Sequence, residues 1–318
     1  MSITYRSFGT KDFFPTLDFY NKYGKYEEVT TRMWKRLILL DPNFNSNWFI
    51  IAEEDNKEIV GLVYVIKRLV PIDVGATLEE EKAWINAFAV KPEYLDTIGN
   101  ELITKAEKLA IDSNAKKLIA TSYTPNYFSQ GIDCVHYREY CKLFDEKGYS
   151  HGEESHSMRM DLNAFEYSET TRRIKENLAK EGITFQHLTE EYLLAFFNYL
   201  QQYTKPGWTC RLRKLLLDTE DLGRVHIALC GDKVIGFNMY GDPDTSLNRY
   251  GPYGVAYDYR GKKIGKVLLE ECLSHMKESG LNYAWMQWAS GDVAPHMYEK
   301  IGFKASGSYL IYEKELIH

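Results

Sequence analysis

A basic turn between a strand and a helix is the first place in this sequence where chemistry is expected. Gly261 and Gly265 allow a ligand to approach the backbone there, and the turn's basic side chains are Arg260, Lys262, Lys263 and Lys266. The segment after it has apolar residues at the helical period, namely Ile264, Val267, Leu268, Cys272 and Met276. The first N–H groups of a helix lack intrahelical partners and lie at the positive end of its dipole, so such a turn suits phosphate. An ordinary strand–loop–helix connection with a solvated basic rim is the alternative.

A tyrosine about 35 residues after the turn is the second candidate for chemistry. Tyr298 lies in the segment Ala-Pro-His-Met-Tyr-Glu-Lys-Ile-Gly-Phe, residues 294–303. A phenol with an unperturbed pKa near 10 is close enough to a thiol in acidity to protonate a departing thiolate. Because the chain has 24 tyrosines, a core aromatic is the better explanation of Tyr298 when the surrounding pattern is ignored.

Both segments resemble signatures of the GNAT superfamily of N-acetyltransferases. Residues 255–266 resemble its acyl-CoA signature, in which a strand ending in Val precedes Arg/Gln-x-x-Gly-x-Gly/Ala at the start of a helix. Arg260 and Gly265 match that signature. Lys263 stands where the middle Gly usually is, which is compatible with coenzyme binding if Lys263 keeps a negative φ. The segment around Tyr298 resembles the superfamily's Ala-x-x-x-Tyr-x-x-x-Gly-Phe, in the usual order and at the usual separation.

The resemblance implies an N-acetyltransferase that uses acetyl-CoA as co-substrate and transfers the acetyl group to a primary amine by direct attack. Backbone N–H groups of Gly254 and Val255 would hold the thioester oxygen, and Tyr298 would act as general acid toward the coenzyme sulfur. No metal is expected. The residues expected to bind the coenzyme are Tyr253, Gly254, Val255, Arg260, Gly261, Lys262, Lys263, Ile264, Gly265 and Lys266.

The general base and the acceptor pocket are less well defined by the sequence. The strand before the turn carries no carboxylate, which leaves Asp242, Asp244 and His296 as candidate bases. Solvated turn positions for the two aspartates and a surface helix position for the histidine are the commoner explanations. Gly291 replaces an Asn that is common in the family seven residues before the tyrosine. Residues that could line the acceptor pocket, or could be core residues, are Trp285, Gln287 and Trp288.

The chain reads as a duplication. Two β-rich runs around a polar turn occur twice, and the helix from Ile264 parallels one from Ile98, at offsets of roughly 150 to 175 residues. The paired segments are 49–61 with 225–236, 88–90 with 253–255, and 145–149 with 299–303. We therefore predict an α/β (α+β mixed sheet) fold of two tandem GNAT-like domains, residues 1–164 and 165–318.

The first copy differs from the second where chemistry is expected. Its loop, residues 92–99, has Leu95 in the Arg position, and Asp96 brings negative charge to where phosphates would lie. An anion site with an acidic group and no basic one is electrostatically poor. Phe144 takes the position of Tyr298 without its hydroxyl. We predict that this copy is a structural partner that shapes the substrate cleft, with a divergent second site as the alternative.

Length, charge and cysteine usage bound the function further. The 318 residues suit two domains, and a net charge of −6 argues against a nucleic-acid-binding body. The five cysteines show no zinc-ligand spacing and indicate free thiols in a reducing compartment. The N-terminus has no signal-peptide pattern, and no apolar run approaches the ~18 residues of a membrane span. We expect a cytoplasmic monomer or homodimer that acts on a small-molecule or peptide amine, without nucleic-acid or membrane partners.

Two other functions remain open. An acyl-CoA-binding or regulatory protein that has lost catalysis would explain the missing strand carboxylate and Gly291. An aminoacyl transferase built from paired GNAT-like domains would use charged tRNA. The acidic net charge disfavours that last function, and such proteins do not need the coenzyme loop that this sequence contains.

Overall fold

The fold is described from a computed structural model that covers residues 2–72, 77–124, 126–152, 154–204, 209, 212–213, 215–217, 221–241, 246–290 and 297–317. Its α-helices are α1 (Phe13–Tyr23), α2 (Thr31–Trp34), α3 (Asn100–Asp112), α4 (Arg138–Glu146), α5 (Glu169–Lys180), α6 (Leu193–Tyr203) and α7 (Ile264–Glu278). Short 3₁₀ turns are Ser46–Trp48, Pro92–Tyr94, Glu190–Tyr192, Leu222–Arg224 and Tyr257–Tyr259, and π-helical turns are Lys35–Leu39 and Leu95–Gly99.

The strands of the first half are β1 (Ile3–Ser7), β2 (Phe49–Glu54), β3 (Ile59–Ile66), β4 (Lys82–Val90), β5 (Lys117–Ala120), β6 (Ile132–Asp133), β7 (Ser150–His151) and β8 (Ser155–Asp161). Those of the second half are β9 (Ile183–His187), β10 (Val225–Cys230), β11 (Lys233–Tyr240), β12 (Tyr250–Val255), β13 (Tyr283–Ser290), β14 (Lys304–Leu310) and β15 (Tyr312–Glu315). Within the described ranges, no helix has both the length and the apolar character that crossing a bilayer requires.

The first half is built on one mixed sheet in the order β1-β2-β3-β4-β5-β15-β7. Strands β2 and β3 form the predicted hairpin, with Phe49 opposite Tyr64. Strands β4 and β5 run parallel. Nearly every position of β3 and β4 is buried, as expected for strands with packed layers on both faces. Two apolar cores, one on each face, hold this sheet.

The second half divides its strands between two sheets, in the orders β12-β11-β10-β9 and β13-β8-β14-β6. A parallel bridge between Arg249 and Trp285 connects them. After that bridge β12 and β13 diverge, so that within the described residues the edge of β12 that faces β13 has no further ladder partner. The opening between these two strands organises the candidate site.

The halves exchange strands. From the first half, β8 lies between β13 and β14, and β6 pairs with the other edge of β14. From the second half, β15 lies between β5 and β7 of the first. The domain ranges 1–164 and 165–318 remain a prediction about the duplication. Because each half completes a sheet with a strand of the other, neither range closes its own sheet.

The helical periods in the sequence translate into burial with one exception. All five apolar positions predicted on the face of α7 are buried, Ile264 through Met276. The apolar residues Trp34, Leu37, Ile38 and Leu40 also predict one buried face of a helix. Trp34 and Ile38 are buried, but Leu40 is 65% exposed. The π-helical turn Lys35–Leu39 follows α2, and its wider turn shifts the helical phase. The prediction that Leu40 shares the apolar face is therefore wrong.

Candidate functional site

The basic turn leaves a run of backbone N–H groups unused. After the 3₁₀ turn Tyr257–Tyr259, the backbone N–H groups of residues 261–265 donate no hydrogen bond to any group in the described part of the chain. Gly261 has a φ of +81°, and a Cβ added there would meet nothing within 4 Å. Together with the start of α7 at Ile264, this geometry gives a concave set of donors that suits a phosphate.

Lys263 corrects one expectation about this turn. Its φ is +66°, in the left-handed region, where the sequence analysis required a negative value. A side chain costs roughly 1–2 kcal/mol in that region because its Cβ approaches the carbonyl oxygen. The position therefore favours Gly for a steric reason. In this chain a lysine occupies it with a left-handed backbone conformation.

The positive charge of the turn is partly neutralised within the protein. Lys262 Nζ lies 2.5 Å from a Glu181 carboxylate oxygen, and Lys266 Nζ lies 2.8 Å from Glu270 Oε1. Glu270 is buried; burial alone raises its pKa, but its bonds to Lys266 and to Ser168 and Thr171 bring the pKa below the ordinary value. Lys266 is therefore held on a buried carboxylate at the first turn of α7.

Arg260 lies at the edge of the same turn. Its guanidinium carbon is 4.2 Å from the centroid of the Tyr257 ring, and its Nε donates to Val255 O at 3.3 Å. These contacts fix Arg260 between the end of β12 and the turn, which is a position from which it can reach a phosphate bound to the N–H groups.

The β11–β12 ladder decides which N–H groups face the opening between β12 and β13. Ala256 N–H donates to Ile235 O at 2.8 Å, which makes those two residues a hydrogen-bonded pair. Such pairs alternate along an antiparallel ladder, so Val255 points its N–H into the opening and Gly254 donates into the ladder. The expectation that Gly254 N–H holds a thioester oxygen is corrected for this reason. Val255 N–H faces the opening, and its role toward a thioester oxygen stays a prediction.

Tyr298 lies beside this opening in a largely apolar cluster. Its side chain is 6% exposed, and its ring centroid is 5.7 Å from that of Phe303, 6.4 Å from Tyr250 and 6.5 Å from Tyr253. Burial raises the pKa of Tyr298 above its ordinary value, with a smaller contribution from Tyr253. A free tyrosine has a pKa near 10; in the fold the Tyr298 phenol holds its proton to higher pH than that.

Tyr253 connects the turn to Tyr298. A Cβ added at Gly265 would lie 3.2 Å from a carbon of the Tyr253 ring and 3.3 Å from its hydroxyl oxygen. The same hydroxyl lies 3.8 Å from the Met297 sulfur, next to Tyr298. Because Gly265 has no side chain, Tyr253 can pack directly over the first turn of α7.

In the first half the equivalent opening is filled by the protein itself. Lys91 N–H donates to Val60 O at 3.0 Å, so that Val90 N–H faces outward as in the second half. That N–H donates to the Tyr140 hydroxyl at 2.9 Å, and the hydroxyl donates to Tyr23 O at 2.6 Å. A buried tyrosine therefore occupies the place that stays open at β12.

The loop of the first half also lacks an anion site. Residues 92–99 continue as a 3₁₀ turn and a π-helical turn straight into α3, and the N–H groups of Tyr94 and Leu95 donate to Lys91 O and Pro92 O. Leu95, in the Arg position, is buried in the apolar core, and Asp96 is exposed. Both observations support the prediction that this copy binds no coenzyme.

One pair of turns shows the duplication in detail. Phe303 N–H donates to Tyr298 O at 3.1 Å, and Tyr149 N–H donates to Phe144 O at 3.0 Å. Each pair of rings is T-shaped, with centroids 5.7 Å apart in the second half and 5.0 Å in the first. Phe144 therefore takes the structural position of Tyr298, as the sequence alignment of the halves predicted.

A cavity of about 370 Å³ lies between the halves. On its β13 side it is lined by the alternate residues Tyr283, Trp285 and Gln287, while Ala284 and Met286 pack in the opposite core with Tyr298. The cavity and the coenzyme turn thus lie on opposite faces of β13. The opening between β12 and β13 lies between these two sites. Trp288, 38% exposed, does not line it.

Charged and aromatic side chains from both halves line the cavity. Arg159 of β8 stacks on Tyr283, with its guanidinium carbon 3.9 Å from the ring centroid. The basic residues are Lys25, Arg36, Arg159 and Arg249, the acidic ones are Glu27 and Glu28, and the aromatic ones are Tyr26, Tyr127, Phe128, Tyr283, Trp285 and Tyr309. Lys25 and Glu27 form an ion pair of 2.6 Å. The lining therefore carries more positive than negative groups.

Some candidates named from the sequence lie outside the described residues. These are Asp242, Asp244, Gly291 and His296. Sequence reasoning also missed the contribution of the first half to the cavity, since Arg36, Tyr127 and Arg159 show no local motif. Only the knowledge that β8 pairs with β13 could have brought Arg159 to the site.

The family model described as Acetyltransferase (GNAT) family matches residues 13–132 and 185–303, well over half of the sequence. The chain belongs to the acetyltransferase (GNAT) family. The two matches confirm the predicted tandem arrangement of this GNAT protein, and its assignment as a GNAT-type acyltransferase is confirmed at the level of the family.

Relatives with curated names match only part of this GNAT chain. A mycothiol acetyltransferase of Corynebacterium efficiens is 33% identical over 85 residues, which are 26% of this chain and 29% of the relative. The mycothiol acetyltransferase of Corynebacterium glutamicum strain ATCC 13032 is 29% identical over 85 residues, with the same shares. The match thus spans less than a third of either relative.

Solved structures resemble the whole GNAT chain at low identity. A tandem GNAT protein from the clavulanic acid biosynthesis pathway has a TM-score of 0.64 at 14% identity, over 100% of this chain and 99% of that one. A GCN5-related glucosamine N-acetyltransferase region of a fungal multi-domain GH3 β-N-acetylglucosaminidase has a TM-score of 0.75 at 15% identity, over 98% of this chain and 38% of that one. At these identities the likeness shows the fold alone.

Proposed function

We propose that this chain transfers the acetyl group of acetyl-CoA to a primary amine held in the cavity between the halves. The observation that carries the proposal is the contrast between two equivalent N–H groups. Val90 N–H is occupied by the Tyr140 hydroxyl, whereas Val255 N–H faces the opening between β12 and β13 and has no partner among the described residues. Strand β13 also lines the acceptor cavity, through Trp285. In the part of the chain that the structure describes, the first half closes this place with its own side chain and the second half leaves it open for an acyl group.

Residues of the second half would bind the coenzyme, stabilise the developing charge and donate the proton. The N–H groups of residues 261–265 and Arg260 would bind the coenzyme phosphates, and Val255 N–H would stabilise negative charge on the thioester oxygen. Acetyl-CoA supplies the acetyl group. Tyr298 would donate its proton to the departing sulfur, since its raised pKa keeps the phenol in the acid form.

The cavity supports an acceptor that carries an anionic group as well as its amine. Among the described residues that line it, four basic side chains outnumber two carboxylates, and aromatic rings form much of its walls. Rings suit the flat faces of a sugar or of another cyclic acceptor. One similar structure is described as a glucosamine N-acetyltransferase region, which also supports an amino sugar. We therefore propose an amino sugar with an acidic substituent as the acceptor class.

Thiol release from acetyl-CoA tests both levels of the proposal. The matched acceptors are glucosamine and glucosamine 6-phosphate, with spermidine and a lysine peptide as further amines. We expect release with both sugars and a lower KM for the phosphorylated one. Arg159→Gln should raise the KM for the phosphate at least tenfold and leave that for glucosamine within about threefold. Arg173→Gln, at an exposed position on α5 outside the cavity, is the matched control.

The outcomes separate the proposal from the alternative kept open by the sequence. Release with spermidine or the peptide only would retain the acetyltransferase and refute the acceptor class. Tight 1:1 binding of acetyl-CoA without release for any amine would favour an acyl-CoA-binding or regulatory protein. The features that favour this alternative are the strand before the turn, which carries no carboxylate, and Gly291.

A further inference from the structure

Three histidines that are far apart in the sequence meet in the second half. His187 ends β9 and lies directly opposite His226 of β10 in the antiparallel ladder. His275 lies in the last turn of α7. Each imidazole offers one ring nitrogen, and these three atoms lie within 4.8 Å of one another. The ring centroids are 4.4 Å apart for His187 and His226 and 4.5 Å apart for His187 and His275.

The hydrogen bonds of these rings leave nitrogen lone pairs unused. His187 Nδ1 lies 2.7 Å from Gly223 O; since a carbonyl oxygen only accepts, Nδ1 carries the proton and the lone pair is on Nε2. His226 is 4% exposed, and both of its ring nitrogens are buried without a hydrogen-bond partner. His275 Nδ1 is buried and unpartnered as well. Burying imidazole nitrogens without a partner is unfavourable, and a bound ion would supply the missing partner.

We propose that His187, His226 and His275 bind a divalent transition-metal ion of the zinc type, with water in the fourth position. Three neutral imidazoles suit zinc, cobalt, nickel or copper, whereas magnesium and calcium prefer oxygen ligands. Tetrahedral zinc with Zn–N bonds of about 2.0–2.1 Å needs nitrogens about 3.4 Å apart, which small ring rotations can reach from the present spacing. His187 is exposed, so solvent has access to the open position.

The protonation states agree with this geometry. Burial, with smaller contributions from the two neighbouring histidines and Lys175, lowers the pKa of His226 to about 3. Burial also lowers the pKa of His275. Charged groups nearby are satisfied elsewhere, since Lys175 pairs with Glu271 at 2.9 Å and Asp221 with Arg224 at 2.7 Å. The rings of His226 and His275 are thus neutral at physiological pH, which is the form that ligates metals.

The site is separate from the acetyl-transfer site. The coenzyme turn adjoins Ile264 at the start of α7, and His275 lies eleven residues later, roughly 16 Å along the helix axis. A metal there would tie the end of α7 to β9 and β10 without touching the coenzyme. Its expected effect is on the stability of the second half, and the proposal does not depend on the transferase activity.

The test uses the full chain after metal removal, in a Cys134→Ser/Cys141→Ser background. Those two thiols must be removed because their sulfurs lie 2.8 Å apart and would compete for zinc. We expect one zinc ion per chain by competition with a chromophoric chelator, and a rise in Tm on zinc addition. Cobalt should give d–d absorption bands without a thiolate charge-transfer band.

Single variants identify the ligands. His187→Gln and His275→Gln should each weaken zinc binding at least tenfold and abolish the rise in Tm, whereas His151→Gln, an exposed histidine outside the cluster, should behave like the parent. Because His187 is exposed, its variant is expected to fold, which circular dichroism checks. The absence of 1:1 binding in the parent, or equal affinity in His187→Gln and His151→Gln, would overturn the proposal.

Discussion

Replacing Tyr298 with Phe removes one hydroxyl and leaves the packing of the ring. The ring contacts Phe303, Tyr250 and Tyr253, and all of these contacts are made by the aromatic carbons. The free energy of unfolding should therefore change by less than about 1 kcal/mol. Acetyl-CoA binds at the turn of residues 261–265 in our proposal, so its Kd should change less than about threefold, or ~0.7 kcal/mol.

Turnover should change far more than binding. Loss of a positioned general acid typically lowers the rate about 10²–10⁴-fold, which corresponds to roughly 3–5 kcal/mol of transition-state stabilisation. The kcat with a confirmed acceptor amine is the quantity to measure, together with the Kd of acetyl-CoA by calorimetry. Tyr64→Phe is the matched control, because it removes a buried hydroxyl of the first half that has no hydrogen-bond partner among the described groups.

The pH dependence of the rate is a second test of the role of Tyr298. The pKa of Tyr298 is raised above its ordinary value of 10.0 by burial, so the acid form persists to higher pH than for a free tyrosine. The rate should rise with pH as the acceptor amine loses its proton and should not fall again below pH 10. A kcat of Tyr298→Phe close to that of the parent would refute the role of Tyr298, and a descending limb near neutral pH would point to another acid.

Three further predictions concern the turn and the exchanged strands. Calorimetry should find one acetyl-CoA site per chain, and Gly265→Asp should abolish it. The added Cβ approaches the Tyr253 ring, and the added carboxylate repels the phosphates by about 2–4 kcal/mol. Two sites per chain, or unchanged binding in the variant, would contradict this. Lys263→Gly should raise the free energy of unfolding by up to about 1 kcal/mol in a denaturant titration, since it relieves a φ of +66°; a loss of stability would show that the lysine is not strained. Residues 165–318 expressed alone should be poorly soluble because β8 is missing from its sheet; a soluble, active fragment would show that the first half is dispensable.

Local pattern was sufficient for the elements and for part of the site. The periodic apolar residues of α7 are buried, the hairpin of β2 and β3 forms, and the turn before Ile264 exposes its N–H groups. Each of these features depends on neighbours in sequence, which composition and spacing report. The duplication also allowed Phe144 to be paired with Tyr298 before the fold was known.

Features that depend on distant segments could not be predicted. The positive φ of Lys263 is a local feature of the turn, and the Gly that usually stands at this position was its signal, but a lysine there was expected to keep a negative φ. Gly254 and Val255 were assigned the same role because alternation along the ladder depends on register with β11. The three histidines come from β9, β10 and α7, and their spacing in the sequence matches no metal-binding motif.

The exchanged strand β15 sets an order of events during synthesis. Lys117 of β5 pairs with Glu313 of β15, 196 residues later in the chain, and β15 lies between β5 and β7. The edge of β5 therefore stays open while the 196 residues that separate it from Glu313 are synthesised, a period of roughly 10–40 s at 5–20 residues per second. An open edge of this kind invites pairing with other chains, so nascent copies on one messenger are exposed to mutual entanglement before the last strand arrives.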